Sequence, residues 1–324
     1  MMTDYEFEYD NLARVPEAPI IIQGWEEDAA AFRKEWPRAT YDVAYGPDPR
    51  DDVDIFWPGG DERAPLVVFI HGGYWRRFDR KHFSHCARGL TAHGVAVAMP
   101  SYSLCPDTDV PNIVREMRQC CSFLYRTYKR PLTVIGHSAG AHLAACMFAT
   151  PWRDVNPALP PELVRAGLGL SGIYDLAPLL ETTQNETIGL TPDTARACSP
   201  HLQMPDGVRR FVALAGSDET AEYIRQARAL TRRWRMLGLG TQVDLVEGAN
   251  HFTIIDALTD PDSAVVRTVL DLIENPELTL SDAVGVEQAP EDVAADQDDG
   301  EARQDQEDAD EKEDVEGGAV KAQG

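Results

Sequence analysis

The chain has 324 residues, 43% of them apolar, enough for one large domain with a full hydrophobic core. It contains no uncharged apolar run of about 18 residues, and residues 1–11 are acidic and aromatic rather than basic and then apolar, so neither a membrane helix nor a signal peptide is expected. The net charge of −24 argues against nucleic acid as a partner.

In chain order, the first clear element is Leu66–Ile70, a short apolar run of buried-strand type. A helical stretch over 80–92 leads to a second buried strand over 95–99. Residues 112–128 have helical spacing, and 132–135 read as a third strand. A helix over 139–148 precedes a fourth strand at 166–171. A fifth strand at 211–215, an amphipathic helix at 219–236, a sixth strand at 242–246 and a closing helix at 263–273 follow. This alternation predicts an α/β fold: a mainly parallel sheet with helices on both faces. Residues 175–200 suffice for a small cap, not a lid domain.

Periodic patterning stops near residue 280. Residues 282–324 carry 16 acidic and 3 basic side chains and almost no large apolar ones. Such a segment cannot bury enough apolar surface to offset its ordering entropy. The division expected is a folded domain over 1–280 and a disordered acidic tail over 281–324, which solvates the chain or docks on a partner the sequence does not identify. The six cysteines, Cys86, Cys105, Cys120, Cys121, Cys146 and Cys198, form no zinc or redox spacing and read as buried free thiols. With no export or membrane signal, the expected location is cytoplasmic.

Gly136-His137-Ser138-Ala139-Gly140 fits G-x-S-x-G and stands between a predicted buried strand and a predicted helix. That context turns the chain sharply, holding a strained serine above the sheet edge beside helix N–H groups. An N-cap serine would explain Ser138 alone, but not the strand before it. Ser138 is the candidate nucleophile. His71-Gly72-Gly73-Tyr74-Trp75 directly follows Leu66–Ile70. Gly72 and Gly73 permit a loop whose N–H groups turn inward. With the N–H of Ala139 they form a candidate oxyanion hole, each donor worth about 3 kcal/mol. A plain glycine turn leaves His71, Tyr74 and Trp75 unexplained, and these three are expected to wall the substrate pocket.

A histidine base and its acid should follow the serine, the acid first. His251, just after the sixth strand, is the candidate base. The acid belongs in Gly216-Ser217-Asp218-Glu219-Thr220, after the fifth strand. Asp218, the first carboxylate there, is the candidate to orient the imidazole. Glu219 is the adjacent competitor and Asp175 a more distant one. Gly167-Leu168-Gly169-Leu170-Ser171-Gly172 fits G-x-G-x-x-G, but its glycines fall within a strand, so no dinucleotide cofactor is expected. The pairs His82/His85 and His137/His142 lack a third ligand, so no metal is expected.

Together, the segment His71–Trp75, Gly136-His137-Ser138-Ala139-Gly140-Ala141-His142, Ser171-Gly172-Ile173-Tyr174-Asp175-Leu176 and the stretch from Asp218-Glu219-Thr220 to Arg225-Gln226 resemble the serine-type kynurenine formamidases (arylformamidases). The resemblance covers about residues 5–273, with Tyr45-Gly46 and Asp54-Ile55-Phe56 matching the approach to the first core strands. It implies an α/β-hydrolase fold, a Ser138–Asp218–His251 triad and oxyanion donors at Gly72, Gly73 and Ala139. It also implies hydrolysis of N-formyl-L-kynurenine to kynurenine and formate in tryptophan breakdown, without a cofactor. The acidic tail has no counterpart in that pattern. The same motifs fit a carboxylesterase for small aryl or alkyl esters. A non-catalytic binding protein on a hydrolase scaffold is the reading from another class. The expected ligand is a small aromatic formamide or ester, and the sequence leaves a homodimer open.

Overall fold

Eight strands make one sheet: β1 (Ala39–Ala44), β2 (Asp52–Phe56), β3 (Leu66–Ile70), β4 (Ala96–Pro100), β5 (Leu132–His137), β6 (Val164–Leu170), β7 (Arg210–Gly216) and β8 (Gly240–Val246). Their order is β1-β2-β4-β3-β5-β6-β7-β8. β2 pairs antiparallel with β1 and β4, and every pair from β4 to β8 is parallel. This computed structural model describes residues 3–59, 63–205 and 207–277. The chain divides into a unit Met1–Ala283 and a unit Val284–Gly324. The second unit, and with it the expected acidic tail, lies outside the described residues.

The central strands of the sheet are buried on both faces. Leu66, Val68 and Ile70 of β3 pack into one apolar cluster, and Val67 and Phe69 into the other; Ala96 and Ala98 of β4 separate from Val97 and Met99 in the same way. Successive side chains of a strand point to opposite faces, so a strand covered on both sides reads as an unbroken apolar run. The first cluster includes the helices Val110–Tyr128, Ala139–Ala149 and Ala221–Met236. The second includes Ala18–Glu35, the 3-10 helix Arg80–Ala87 and Ala264–Glu274.

The six expected strands and their connecting helices are present. The expected helix over 80–92 is a 3-10 turn, Arg80–Ala87, running into a short α-helix, Arg88–Ala92. Between β6 and β7, the short helices Ala177–Glu181, Asn185–Ile188, Pro192–Cys198 and Pro200–Leu202 form the small cap. The strands β1 and β2 and the helix Ala18–Glu35 are additions to the expected set. The helix carries its signal in Ala18, Ile22, Trp25, Ala29 and Phe32, spaced four, three, four and three residues apart. Among the described residues no helix is long and apolar enough to cross a membrane. All six cysteines are free and buried.

The G-x-G-x-x-G glycines serve packing. A Cβ on Gly167 would lie 2.6 Å from the Phe211 ring, and one on Gly169 would lie 2.1 Å from the Tyr174 hydroxyl. The glycines make room for aromatic rings against β6.

Candidate active site

β5 ends at His137, the helix Ala139–Ala149 begins two residues later, and Ser138 between them turns the corner at φ 56° and ψ −121°. A side-chain-bearing residue there is strained and must be held by its surroundings. The Ser138 N–H donates to Leu170 O at 2.8 Å, and the Ser138 carbonyl accepts from Ala141 and His142. The flanking glycines are needed for close approach: a Cβ on Gly136 would lie 2.2 Å from Gly140 O, and one on Gly140 would lie 2.0 Å from Ile70 O.

Ser138 Oγ lies 3.0 Å from His251 Nε2, and His251 Nδ1 lies 2.9 Å from Glu219 Oε2. A carboxylate only accepts, so Nδ1 carries the proton and Nε2 is free to accept from the serine hydroxyl. The acid in contact is therefore Glu219, and the expectation of Asp218 is corrected. The Glu219 N–H closes a tight turn onto Gly216 O at 3.2 Å. Asp218 sits at the crest of that turn, exposed, its carboxylate accepting from Ser217 Oγ and, among the described residues, from no other group. Glu219 comes back over the sheet, its side chain 1% exposed, and its extra methylene spans the distance to the imidazole. Its other oxygen, Oε1, accepts from Gly216 N at 2.7 Å and from Ser171 Oγ. Asp175 is not part of this relay; its carboxylate accepts from Ala177 N.

Behind the relay, His137 donates from Nε2 to the carbonyl of His251 at 2.8 Å. Burial, with His251 beside it, pushes its pKa down to about 3, so it is neutral. It pins the backbone of His251. The loop after β3 lies against the elbow: a Cβ on Gly72 would be 3.1 Å from Ser138 Cβ, and Gly73 adopts φ 111°. Among the described residues, the N–H groups of Gly73 and Ala139 have no protein acceptor. They remain available to a ligand beside Ser138.

A cleft of about 580 Å³ of atom-free space, including its open mouth, runs from Ser138 and His251. Its aromatic walls are Trp25, Phe78, Phe83 and Phe252, with Tyr9 and Tyr74 at one side. Of the three expected pocket residues only Tyr74 lines it. Trp75 is fully buried, its ring edge-on to His142 at 5.0 Å. His71 stacks between Tyr102 and Phe83 with its Nδ1–H on Gly72 O. Positive φ at both Tyr74 and Trp75 sends the chain through a tight turn, so Trp75 goes into the core.

Sequence reasoning missed the N-terminal wall. Tyr9, Asp10, Asn11 and Leu12 line the cleft. Asn11 Nδ2 donates to Tyr223 Oη at 2.8 Å, and Tyr74 Oη donates to Tyr9 O at 2.7 Å. Tyr9 Oη donates to Glu222 at 2.8 Å and accepts from Gln226. Asp48, Asp51 and Glu116 bring ligand atoms within 4.8 Å of one another, but none of the three lines this cleft.

A serine elbow on a sheet of this order marks the α/β-hydrolase class, and known proteins narrow it. The kynurenine formamidase of Drosophila melanogaster is 32% identical over 232 residues, 67% of this chain and 76% of that protein. The chain belongs to the kynurenine formamidase family. The kynurenine formamidase of Danio rerio is 29% identical over 242 residues, 72% of this chain and 81% of that protein. A BD-FAE family model matches residues 53–186. A crystal structure from Silicibacter sp., provisionally described as a thioesterase, superposes with a TM-score of 0.75 at 32% identity, covering 83% of this chain and all of that one.

Proposed function

We propose that the protein hydrolyses the formamide of N-formyl-L-kynurenine, giving kynurenine and formate. The observation that carries this is the Ser138–His251–Glu219 relay opening on an aromatic-walled cleft, in a chain of this family. Ser138 attacks the formyl carbon as His251 Nε2 takes its proton, and Glu219 holds the Nδ1–H and stabilises the imidazolium. Backbone N–H groups of Gly73 and Ala139, with Gly72, receive the oxyanion. His251 then protonates the departing aniline nitrogen, leaving formate esterified to Ser138. Water, deprotonated by His251, releases formate and restores the serine. The formyl group needs no acyl pocket, and the aryl ring lies among Trp25, Phe78 and Phe252.

The second reading is hydrolysis of small esters, favoured by the likeness to a protein described as a thioesterase. The test is kcat/KM for N-formyl-L-kynurenine beside p-nitrophenyl acetate and butyrate, on wild type and Ser138→Ala. A formamide preference of about 100-fold, lost in the variant, corresponds to roughly 2.7 kcal/mol of transition-state discrimination and supports the formamidase reading. Ester turnover without formamide turnover moves the function to the second reading. Absence of Ser138 labelling by a fluorophosphonate overturns both and leaves a binding protein.

A further inference from the structure

The chain carries a net charge of −24, yet the cleft beside Ser138 presents two arginines, Arg76 and Arg77. Arg76 is partly buried. Its Nη2 donates to Gln184 Oε1 and its Nη1 to Thr187 Oγ1 at 3.4 Å, both in the cap. Its Nε is buried with no acceptor. Among the described residues no carboxylate pairs with it. Burial and the neighbouring Arg77 both push its pKa down, the signature of a cation without a counter-ion. A half-buried guanidinium on the cleft, with no carboxylate partner of its own, favours an anionic ligand. Among the described residues, Asp10 is the one acidic side chain on the cleft.

We propose that Arg76 is the receptor for a substrate carboxylate, which makes the enzyme selective for aryl formamides that carry an amino-acid side chain, with Asp10 facing the ammonium. The carboxylate meets the part of the guanidinium that the cleft exposes, while Gln184 and Thr187 keep it in place. The assignment of a formamide to Ser138 rests on the function proposed above; the assignment of a carboxylate to Arg76 does not. Since Arg76 is held by the cap, a bound carboxylate also ties the cap to the loop after β3.

The experiment compares N-formyl-L-kynurenine with its methyl ester and with 2-formamidoacetophenone, on wild type, Arg76→Met and Arg76→Lys. Wild type should prefer the free acid over both formamides that lack a carboxylate by about 30-fold in kcat/KM, the range of a hydrogen bond to a charged group. Arg76→Met should erase that ratio, and Arg76→Lys, which keeps the charge but not the fork, should leave part of it. The wild-type ratio needs no variant, so a misfolded Arg76→Met does not blunt the test. In parallel, L-kynurenine should inhibit p-nitrophenyl acetate hydrolysis, with a Ki about 30-fold higher in Arg76→Lys or Arg76→Met than in wild type. If wild type cleaves none of the formamides, the proposed function fails while the inhibition still decides Arg76. A free acid and methyl ester turned over alike, or a Ki unmoved by either variant, overturns the carboxylate receptor.

Discussion

Ser171 Oγ donates a hydrogen bond to Glu219 Oε1, the carboxylate oxygen that His251 does not use. Ser171 is fully buried, holds φ 53° and is tied through its N–H to Leu214 O at 2.7 Å. It acts as a positioning residue for the acid. Ser171→Ala should lower kcat by about 10-fold, the worth of one hydrogen bond on a charged partner. KM and the melting temperature should hardly move. A variant with wild-type kcat would show that Gly216 N alone suffices.

Glu219 and Asp218 are neighbours with opposite fates. Glu219→Gln keeps the shape but can donate toward His251 and favour the wrong tautomer, so kcat should fall roughly 10³–10⁴-fold. Asp218→Asn, altered at an exposed site, should stay within about twofold of wild type. Steady-state kinetics on the two variants decide which carboxylate serves the base; the reverse pattern would reinstate Asp218.

Trp75→Ala should empty a core site, destabilising the fold by about 3–5 kcal/mol. In the surviving folded enzyme it should not change the ratio of formamide to ester turnover. Urea denaturation beside kinetics separates the two effects, and a selective rise in KM at full stability would put the indole back in the pocket.

Four buried histidines set an acid limit. Burial lowers the pKa of His71 and His137 to about 3 and of His85 and His142 to about 4. Unfolded, each titrates near 6.5. Above that pH both states are neutral and nothing is lost. As the pH falls below it, the unfolded chain takes up protons that the folded one refuses, so stability drops by up to about 5 kcal/mol per pH unit for the four together. Denaturant midpoints at pH 7, 6 and 5 should fall ever more steeply, and His142→Gln should remove about a quarter of the slope.

The arrangement of the candidate site was legible where chemistry dictates short contiguous motifs. Gly136, Ser138 and Gly140 are fixed by close backbone contacts, and His251 by its place after the last strand. The side-chain direction of Asp218 against Glu219 was not legible, because a turn decides it and either carboxylate satisfies the order of residues. Trp75 misled for a related reason. Its neighbours are catalytic-loop residues, but two successive positive-φ residues turn it inward. The wall formed by Tyr9 and Asn11 had no local signal at all, since its partners Tyr223 and Glu222 stand 212 and 213 residues away.

That last separation bears on how the protein is made. A ribosome delivers Tyr9 and Asn11 first and their partners near the end of the domain. Ser138 emerges midway, well before His251. A nascent chain paused between Ser138 and Tyr223 has its nucleophile but neither its base nor the seat for its own beginning. The Ser138–His251 pair and the finished pocket therefore arrive together, late in synthesis.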